Sequence, residues 1–152
     1  MSKVKKGDMI PFFILKDHDN HEFNIRNLIG SPMVIYFYPR NDTPGCTREA
    51  CSFRDSYEDF IAAGVAVIGI SEDNPESHRK FREKYSLPFT LLSDTGNRVR
   101  DLFGVPTNLF GLIPGRVTYI VDGHGKVSHV FNSQYRTTQH VKEALRIIRK
   151  MN

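Results

Sequence analysis

Residues 33–55 read MVIYFYPRNDTPGCTREACSFRD, and this stretch decides the fold. The apolar run Met33–Tyr38 predicts a strand that is covered on both faces. From Pro44 onward, apolar residues fall at helical spacings, which predicts a helix that ends at Gly64. They build one apolar stripe that is predicted to face the core, namely Ala50, Phe53, Tyr57, Phe60 and Ile61. A second apolar strand follows at 65–71, with the sequence VAVIGIS. Strand, helix and strand in this order predict a parallel pair joined by a right-handed crossover.

The flanking segments extend this unit into a larger sheet. PFFIL at 11–15 and HEFNI at 21–25 predict an N-terminal β-hairpin, and the segments at 116–122 and 126–131 predict a second hairpin. Amphipathic or charged helical patterns predict helices that flank the sheet, the last of them at 137–151. The predicted fold class is therefore α/β, with a mixed central β-sheet flanked by helices, in a single domain over residues 1–152.

Composition and charge disfavour several classes of function. The net charge is +4, but basic and acidic residues are interleaved, so no nucleic-acid partner is predicted. No apolar run reaches the roughly eighteen residues of a membrane span, so no membrane partner is predicted. The first residues carry no signal or transit pattern, which predicts a cytoplasmic protein. The alternative is an organelle such as the chloroplast, if a transit peptide has been removed.

The two cysteines, Cys46 and Cys51, are the candidates for chemistry. In a reducing compartment they leave three options, namely inert core thiols, a metal site or redox chemistry. Four residues separate them, and the chain offers no second ligand pair beyond His18 and His21, which lie in a polar turn. We therefore predict no metal.

Cys46 is predicted to lie in the first turn of the helix. Thr43 is a good N-cap and Pro44 suits the first helical position. There the free N–H groups and the positive end of the helix dipole stabilise an anion, and such positions lower the pKa of a thiol from about 8.5. We expect the Thr43 oxygen to accept the N–H of Cys46, which leaves its hydroxyl proton for a thiolate or an incoming oxygen. The alternative is that Thr43 only caps the helix.

The spacing of the two cysteines restricts what they can form. On an intact helix, residues five apart lie about 7.5 Å apart along the axis and point to different faces. Their Cα atoms are then roughly 8.5 to 9 Å apart, beyond the limit of about 7 Å for a disulfide. The pair is therefore either unrelated, or a switch in which oxidation requires local unfolding.

The segment PRNDTPGC, residues 39–46, followed by TREAC, resembles the P-x-x-x-T-x-x-C motif of peroxiredoxins. The second cysteine, five positions on, is similar to that of the bacterioferritin-comigratory-protein or Q-type subfamily. The resemblance extends to LPFTLLSD at 87–94, LFGLIPGRVTYIVD at 109–122 and the closing helix. It implies a thioredoxin-like fold and a thiol-dependent peroxidase, active on hydrogen peroxide and organic hydroperoxides such as alkyl hydroperoxides.

The resemblance also implies a role for each residue of the motif. Cys46 would be the peroxidatic nucleophile that becomes a sulfenic acid, and Cys51 the resolving cysteine that forms an intramolecular disulfide with it. Thr43 would hold the peroxide oxygens, Arg116 would favour the thiolate and polarise the peroxide, and Pro39 would wall the pocket. A thioredoxin- or glutaredoxin-type dithiol protein would reduce the disulfide, without any cofactor, and the protein would be a monomer.

For two charged residues, Arg116 and Glu49, the sequence allows a second interpretation of their role. Arg116 could equally be a surface arginine at a strand end, since Arg40, Arg48 and Arg54 are nearer to Cys46 in sequence. A carboxylate at Glu49, one turn beyond Cys46, would oppose a thiolate, so we predict that Glu49 faces an arginine, Arg116, and orients it. Otherwise Glu49 is an exposed helix acid.

The residues alone do not exclude two other classes of function. One is a thioredoxin-fold thiol–disulfide reductase without peroxidase activity, and the other is a non-catalytic binding module whose cysteines are inert.

Overall fold

A computed structural model describes residues 3–108 and 113–151. Residues 109–112, the first four of the segment 109–122 that was quoted for the resemblance, lie outside the described residues. The strands are β1 Ile14–Asp17, β2 Glu22–Asn24, β3 Met33–Phe37, β4 Ala66–Ser71, β5 Thr90–Ser93, β6 Thr107–Asn108, β7 Ile113–Pro114, β8 Val117–Val121 and β9 Val127–Asn132. The helices are a short 3-10 helix Ile25–Leu28, α1 Pro44–Asp55, α2 Tyr57–Ala62, α3 Pro75–Lys84, α4 Arg98–Phe103 and α5 Thr137–Met151.

One mixed sheet organises the described chain. Its strand order is β2-β1-β5-β4-β3-β8-β9, and β6 pairs with β7 in a separate two-stranded sheet. The central strand β3 runs parallel to β4 and antiparallel to β8. The predicted parallel pair, the N-terminal hairpin of β1 with β2 and the hairpin of β8 with β9 are all present. The prediction of a mixed sheet flanked by helices is therefore confirmed.

The alternation of side chains along β3 separates two apolar cores. Ile35 and Phe37 point into a core that includes Phe103 of α4. Tyr36 points to the opposite face, into a core that includes Phe53 of α1 and residues of α5. All five residues of β3 are buried, as expected for a strand covered on both faces. Among the described helices, none is long and apolar enough to cross a bilayer.

The helix predicted from Pro44 to Gly64 is wrong in one respect, because it is interrupted. α1 ends at Asp55, Ser56 leaves the helical conformation, and α2 begins at Tyr57. The break changes the direction of the apolar face. Ile61, predicted to face the core, is consequently 53% exposed. Of the remaining predicted stripe, Ala50, Phe53 and Phe60 are buried, whereas Tyr57 is only partly so.

A stack of aromatic rings fixes α1 on the sheet. The Tyr36 ring on β3 lies 4.5 Å from the Phe53 ring on α1, centroid to centroid, in a stacked arrangement. On the neighbouring strand β4, the position opposite Tyr36 is Gly69. A Cβ there would come within 2.9 Å of both the Tyr36 ring and the Leu91 side chain. The absence of a side chain at Gly69 therefore gives the Tyr36 ring its place beneath α1.

Gly69→Ala is expected to lower the free energy of unfolding by about 1–3 kcal/mol, because overpacking a dense core forces rings and backbone apart. Urea denaturation followed by circular dichroism measures this change. Gly96→Ala is the matched control, since a Cβ at Gly96 meets nothing within 4 Å. Equal stability of the two variants would contradict the packing role given to Gly69.

Candidate active site

The loop between β3 and α1 is tied firmly to α3. Asp42 adopts a left-handed backbone conformation, with φ of 59°, and its carboxylate accepts hydrogen bonds from Lys84 Nζ and the Tyr85 hydroxyl, both at 2.8 Å. The backbone N–H of Asn41 donates to Asp73 Oδ2 at 2.9 Å, and the Tyr38 hydroxyl donates to Asn41 Oδ1 at 2.6 Å. These contacts fix the point at which α1 begins.

Thr43 occupies the N-cap position of α1, but it does not cap the helix as predicted. No side-chain cap hydrogen bond forms. The Thr43 hydroxyl instead donates to the carbonyl oxygen of Arg40 at 3.0 Å, so its proton is not directed at the thiol. The prediction of a free hydroxyl proton is therefore wrong, because the preceding turn brings a carbonyl within reach. The lone pairs of the Thr43 oxygen remain able to accept a hydrogen bond.

Cys46 is the third residue of α1, and its side chain is 1% exposed. One nitrogen of Arg116, Nη2, lies 3.4 Å from its sulfur as a hydrogen-bond donor. The same nitrogen would be 3.2 Å from a Cβ at Gly45, so a glycine there allows the guanidinium to approach the helix start. The thiol therefore lies in the first turn of α1 and faces a fixed cation.

Arg116 reaches Cys46 because of the strand order. β8 lies antiparallel beside β3, with Val117 opposite Phe37, so the start of β8 meets the end of β3. Arg116 immediately precedes β8 and is 4% exposed. Its Nη1 donates to Glu49 Oε1 at 2.6 Å and its Nε donates to the carbonyl of Gln134 at 3.0 Å. The alternative of a surface arginine at a strand end is therefore wrong.

The contact expected between Glu49 and Arg116 is present, and Glu49 is completely buried rather than an exposed helix acid. The three arginines nearer in sequence lie elsewhere. Arg40 and Arg48 are exposed, and Arg54 donates to the carbonyl of Tyr85. The cation that faces the thiol comes from a distant part of the chain.

Burial makes Glu49 a weak acid. Loss of solvation raises the pKa of Glu49 to about 7, against the opposing attraction of Arg116. Although burial opposes its charge, Glu49 and Cys46 raise the pKa of Arg116 above its ordinary value. One permanent cation thus serves two acids, a carboxyl group and a thiol.

The second oxygen of Glu49 leads to a histidine. Within the described residues, Glu49 Oε2 has no hydrogen-bond partner, and it lies 3.6 Å from His140 Nδ1. His140 on α5 is fully buried, with Nε2 2.7 Å from the Ser133 carbonyl and Nδ1 2.7 Å from the Thr118 hydroxyl. Burial lowers the pKa of His140 to about 4, so the ring is neutral near pH 7.

Sequence reasoning missed His140 and Thr118, although one signal for His140 was available. His140 precedes Ala144 by four residues and Ile148 by eight, and both of these are buried. That spacing puts the histidine on the inward face of α5. Thr118 carries no such signal, since it lies among apolar residues of a strand that is buried throughout.

Arg100 on α4 was also missed, and it fixes two segments of the site. Its Nη2 donates to the carbonyl of Tyr38 at 2.9 Å and its Nη1 to the carbonyl of Gly115 at 2.8 Å. These carbonyls immediately precede Pro39 and Arg116. No pattern in the sequence distinguishes Arg100 from Arg98, which is exposed on the same short helix.

Cys51 lies five residues beyond Cys46 on the same uninterrupted helix. Both cysteines are free thiols, and Cys51 is half-buried whereas Cys46 is buried. Pro39, predicted to wall the pocket, is the second residue after β3 and is partly buried. Over residues 3–108 and 113–151, no group of three or more His, Cys, Asp or Glu side chains is arranged to hold a metal ion.

Comparisons with known proteins identify the family of this chain. Residues 6–130 match the AhpC/TSA family. The chloroplastic peroxiredoxin Q of rice (Oryza sativa subsp. japonica) is 50% identical over 149 residues, which cover 98% of this chain and 69% of that protein.

Two solved structures are similar along the chain. The peroxidoxin BcpB of Mycobacterium tuberculosis superposes with a TM-score of 0.90 at 34% identity, covering 98% of this chain and 99% of the other. The bacterioferritin comigratory protein of Xanthomonas campestris superposes with a TM-score of 0.84 at 27% identity, covering 91% of each chain. These matches confirm the thioredoxin-like fold. The chain belongs to the AhpC/TSA family, and it is a thiol-dependent peroxidase of the peroxiredoxin Q group.

Proposed function

We propose that the chain reduces hydrogen peroxide and alkyl hydroperoxides through a Cys46 sulfenic acid and an intramolecular Cys46–Cys51 disulfide. The observation that carries this proposal is the contact of Arg116 Nη2 with the Cys46 sulfur at 3.4 Å, deep in the protein. Taking a guanidinium out of water is costly unless anions compensate it. A cation directed at a buried sulfur is therefore better explained by a thiolate than by an inert core thiol.

The proposed first step uses the residues around the start of α1. The Cys46 thiolate attacks the terminal oxygen of the hydroperoxide, an S–O bond forms and the O–O bond breaks. The leaving alkoxide or hydroxide takes a proton from the solvent, which balances the proton lost when the thiol ionised, and becomes an alcohol or water. Arg116 and the first-turn N–H groups stabilise the charge that moves onto the oxygens, and the Thr43 oxygen accepts the O–H of the peroxide.

In the second proposed step, the Cys51 thiol attacks the sulfenic sulfur, and water leaves as the disulfide forms. Cys51 cannot reach Cys46 on an intact helix, so the first turns of α1 must unwind. The break at Ser56 supports this step, because α1 can unwind without disturbing α2. Pro39 is the second residue after β3, and we assign it the role of shielding the sulfenic acid from water.

The wider assignments are also proposals. The solved structure of the Xanthomonas campestris protein is described in connection with its alkyl peroxide reduction activity, which supports organic hydroperoxides as substrates here. A thioredoxin- or glutaredoxin-type dithiol protein would reduce the disulfide. A monomer and a single domain over residues 1–152 stay predictions. For the compartment, the chloroplastic relatives favour the organellar alternative over the cytoplasmic prediction.

Treatment of the reduced protein with one equivalent of hydrogen peroxide is expected to link the two cysteines. Mass spectrometry should detect the loss of two hydrogens from the intact chain, and a digest should contain the Cys46 and Cys51 peptides as one species. Intact protein that keeps both thiols, or that is joined only between chains, would contradict the intramolecular disulfide.

Cys51→Ser is expected to separate the two steps. This variant should consume the first equivalent of peroxide, stall as a sulfenic acid and become overoxidised at higher doses, whereas Cys46→Ser should consume none. A sulfenic-acid probe with mass spectrometry, together with a turnover assay using thioredoxin, checks both results. Normal turnover of Cys51→Ser would remove the resolving role from Cys51.

Arg116→Lys is expected to lower the second-order rate constant with hydrogen peroxide by about 10²–10³, the usual loss when one fixed donor to a developing charge is removed. Lysine keeps the charge but lacks the planar fork that contacts Glu49 and Cys46 at once. Stopped-flow kinetics measures the rate, and Arg48→Lys on the exposed side of α1 is the matched control. Similar rates in both variants would contradict the role of Arg116.

A further inference from the structure

The unpartnered oxygen of Glu49 needs a physical explanation. A buried polar atom without a hydrogen bond is costly, and Glu49 Oε2 has none within the described residues. Its nearby polar neighbour is His140 Nδ1 at 3.6 Å. We propose that His140 is a positioning residue that acts through Glu49, and thereby controls how much of the Arg116 charge is available to Cys46. This inference rests on the proposed function, in which Cys46 is the attacking thiol.

The hydrogen bonds of His140 determine which nitrogen carries the proton. The Ser133 carbonyl can only accept, so Nε2 must donate to it. In a neutral ring, Nδ1 then has a lone pair, which accepts the Thr118 hydroxyl at 2.7 Å. His140 therefore presents the negative end of its ring dipole to Glu49 Oε2.

This arrangement opposes ionisation of Glu49. A carboxylate oxygen and an unprotonated nitrogen repel each other at 3.6 Å in a buried site, whereas a proton on Oε2 removes the repulsion. A protonated Glu49 still accepts from Arg116 through Oε1, but it no longer neutralises the guanidinium. The Arg116 charge is then directed at Cys46. By linkage, a thiolate at Cys46 favours the proton on Glu49 to the same extent.

The other titratable groups around Glu49 do not replace His140. Tyr36 of β3 and Tyr38, which follows β3, face the same site, and burial raises the pKa of each well above its ordinary value, so both remain neutral. Arg116, before β8, attracts the anions of both Glu49 and Cys46. On α5, His140 supplies the opposing dipole, and its ring is held in place at both nitrogens.

The test measures the fraction of Cys46 that is ionised to thiolate, and it does so in the absence of peroxide. In a Cys51→Ser background, iodoacetamide alkylates Cys46 alone, and the rate as a function of pH reports the thiolate fraction. His140→Leu removes the opposing lone pair, so Glu49 ionises more readily and competes for Arg116. We expect the alkylation rate below its midpoint to fall about fivefold, the lower end of the usual coupling between two sites, and the midpoint to move to higher pH. In a Glu49→Gln background, His140→Leu should have no effect on alkylation, because residue 49 is then always neutral and cannot transmit the effect of His140 to Arg116.

Thr118→Val provides a variant with the opposite sign and almost the same shape. It removes the hydroxyl donor from His140 Nδ1, so the lone pair becomes free to accept a proton from Glu49. The neutral form of Glu49 is then favoured, and we expect the alkylation midpoint to move to lower pH. This variant decides the question even if His140→Leu fails to fold, which circular dichroism would detect.

His129→Leu is the matched control, because His129 is a partly exposed histidine of β9 whose nearest acid is Glu143 at 3.5 Å. Its alkylation profile should equal that of the parent. An unchanged midpoint in Thr118→Val, or a His140→Leu effect that persists with Glu49→Gln, would overturn the inference. Failure of the proposed function would look different, since Cys46 would then ignore peroxide while the alkylation profiles still shifted as described.

Discussion

Burial of the Arg116 guanidinium is the constraint on which the site depends. A cation that is 4% exposed has lost most of its hydration, and its stability requires acceptors on several sides. Glu49 Oε1, the Gln134 carbonyl and the Cys46 sulfur supply them. These acceptors come from α1 and from the segment after β9. The same contacts that compensate the charge therefore hold α1 against the sheet and set the environment of the thiol.

The two buried acid–base groups of the site respond to pH in opposite directions. The folded-state pKa of Glu49 is raised from 4.5 to about 7, so between these values the native state binds more protons, and this group's contribution to stability falls as pH rises. The folded-state pKa of His140 is lowered from 6.5 to about 4, so its contribution rises with pH over that window. The pH ranges of these two effects overlap, so the contributions of Glu49 and His140 to the free energy of unfolding oppose each other. The coupling between His140 and Glu49 is therefore better measured from the reactivity of the Cys46 thiol than from unfolding.

Much of the fold could be predicted from local patterns. The apolar run at 33–38 and the alternation of strand and helix specify β3, α1 and β4, since period and length are local properties. The interruption at Ser56 could not be predicted in this way, because nothing in the spacing of apolar residues separates one long helix from two short ones. The prediction that Ile61 is buried was wrong for the same reason. The left-handed Asp42 and its bonds to Lys84 and Tyr85 likewise depend on where α3 packs.

The sequence by itself determined that Cys46 lies at a helix start and that Cys51 is out of its reach on the same helix. Both statements follow from the geometry of consecutive residues. Only the tertiary structure decided which cation faces the sulfur. Arg116 reaches Cys46, and His140, which Thr118 contacts, lies beside Glu49, because β8 pairs with β3 and α5 packs beside α1. The direction of the Thr43 hydroxyl was not predicted either, since it donates its hydrogen bond to the carbonyl of Arg40, three residues earlier in the same turn.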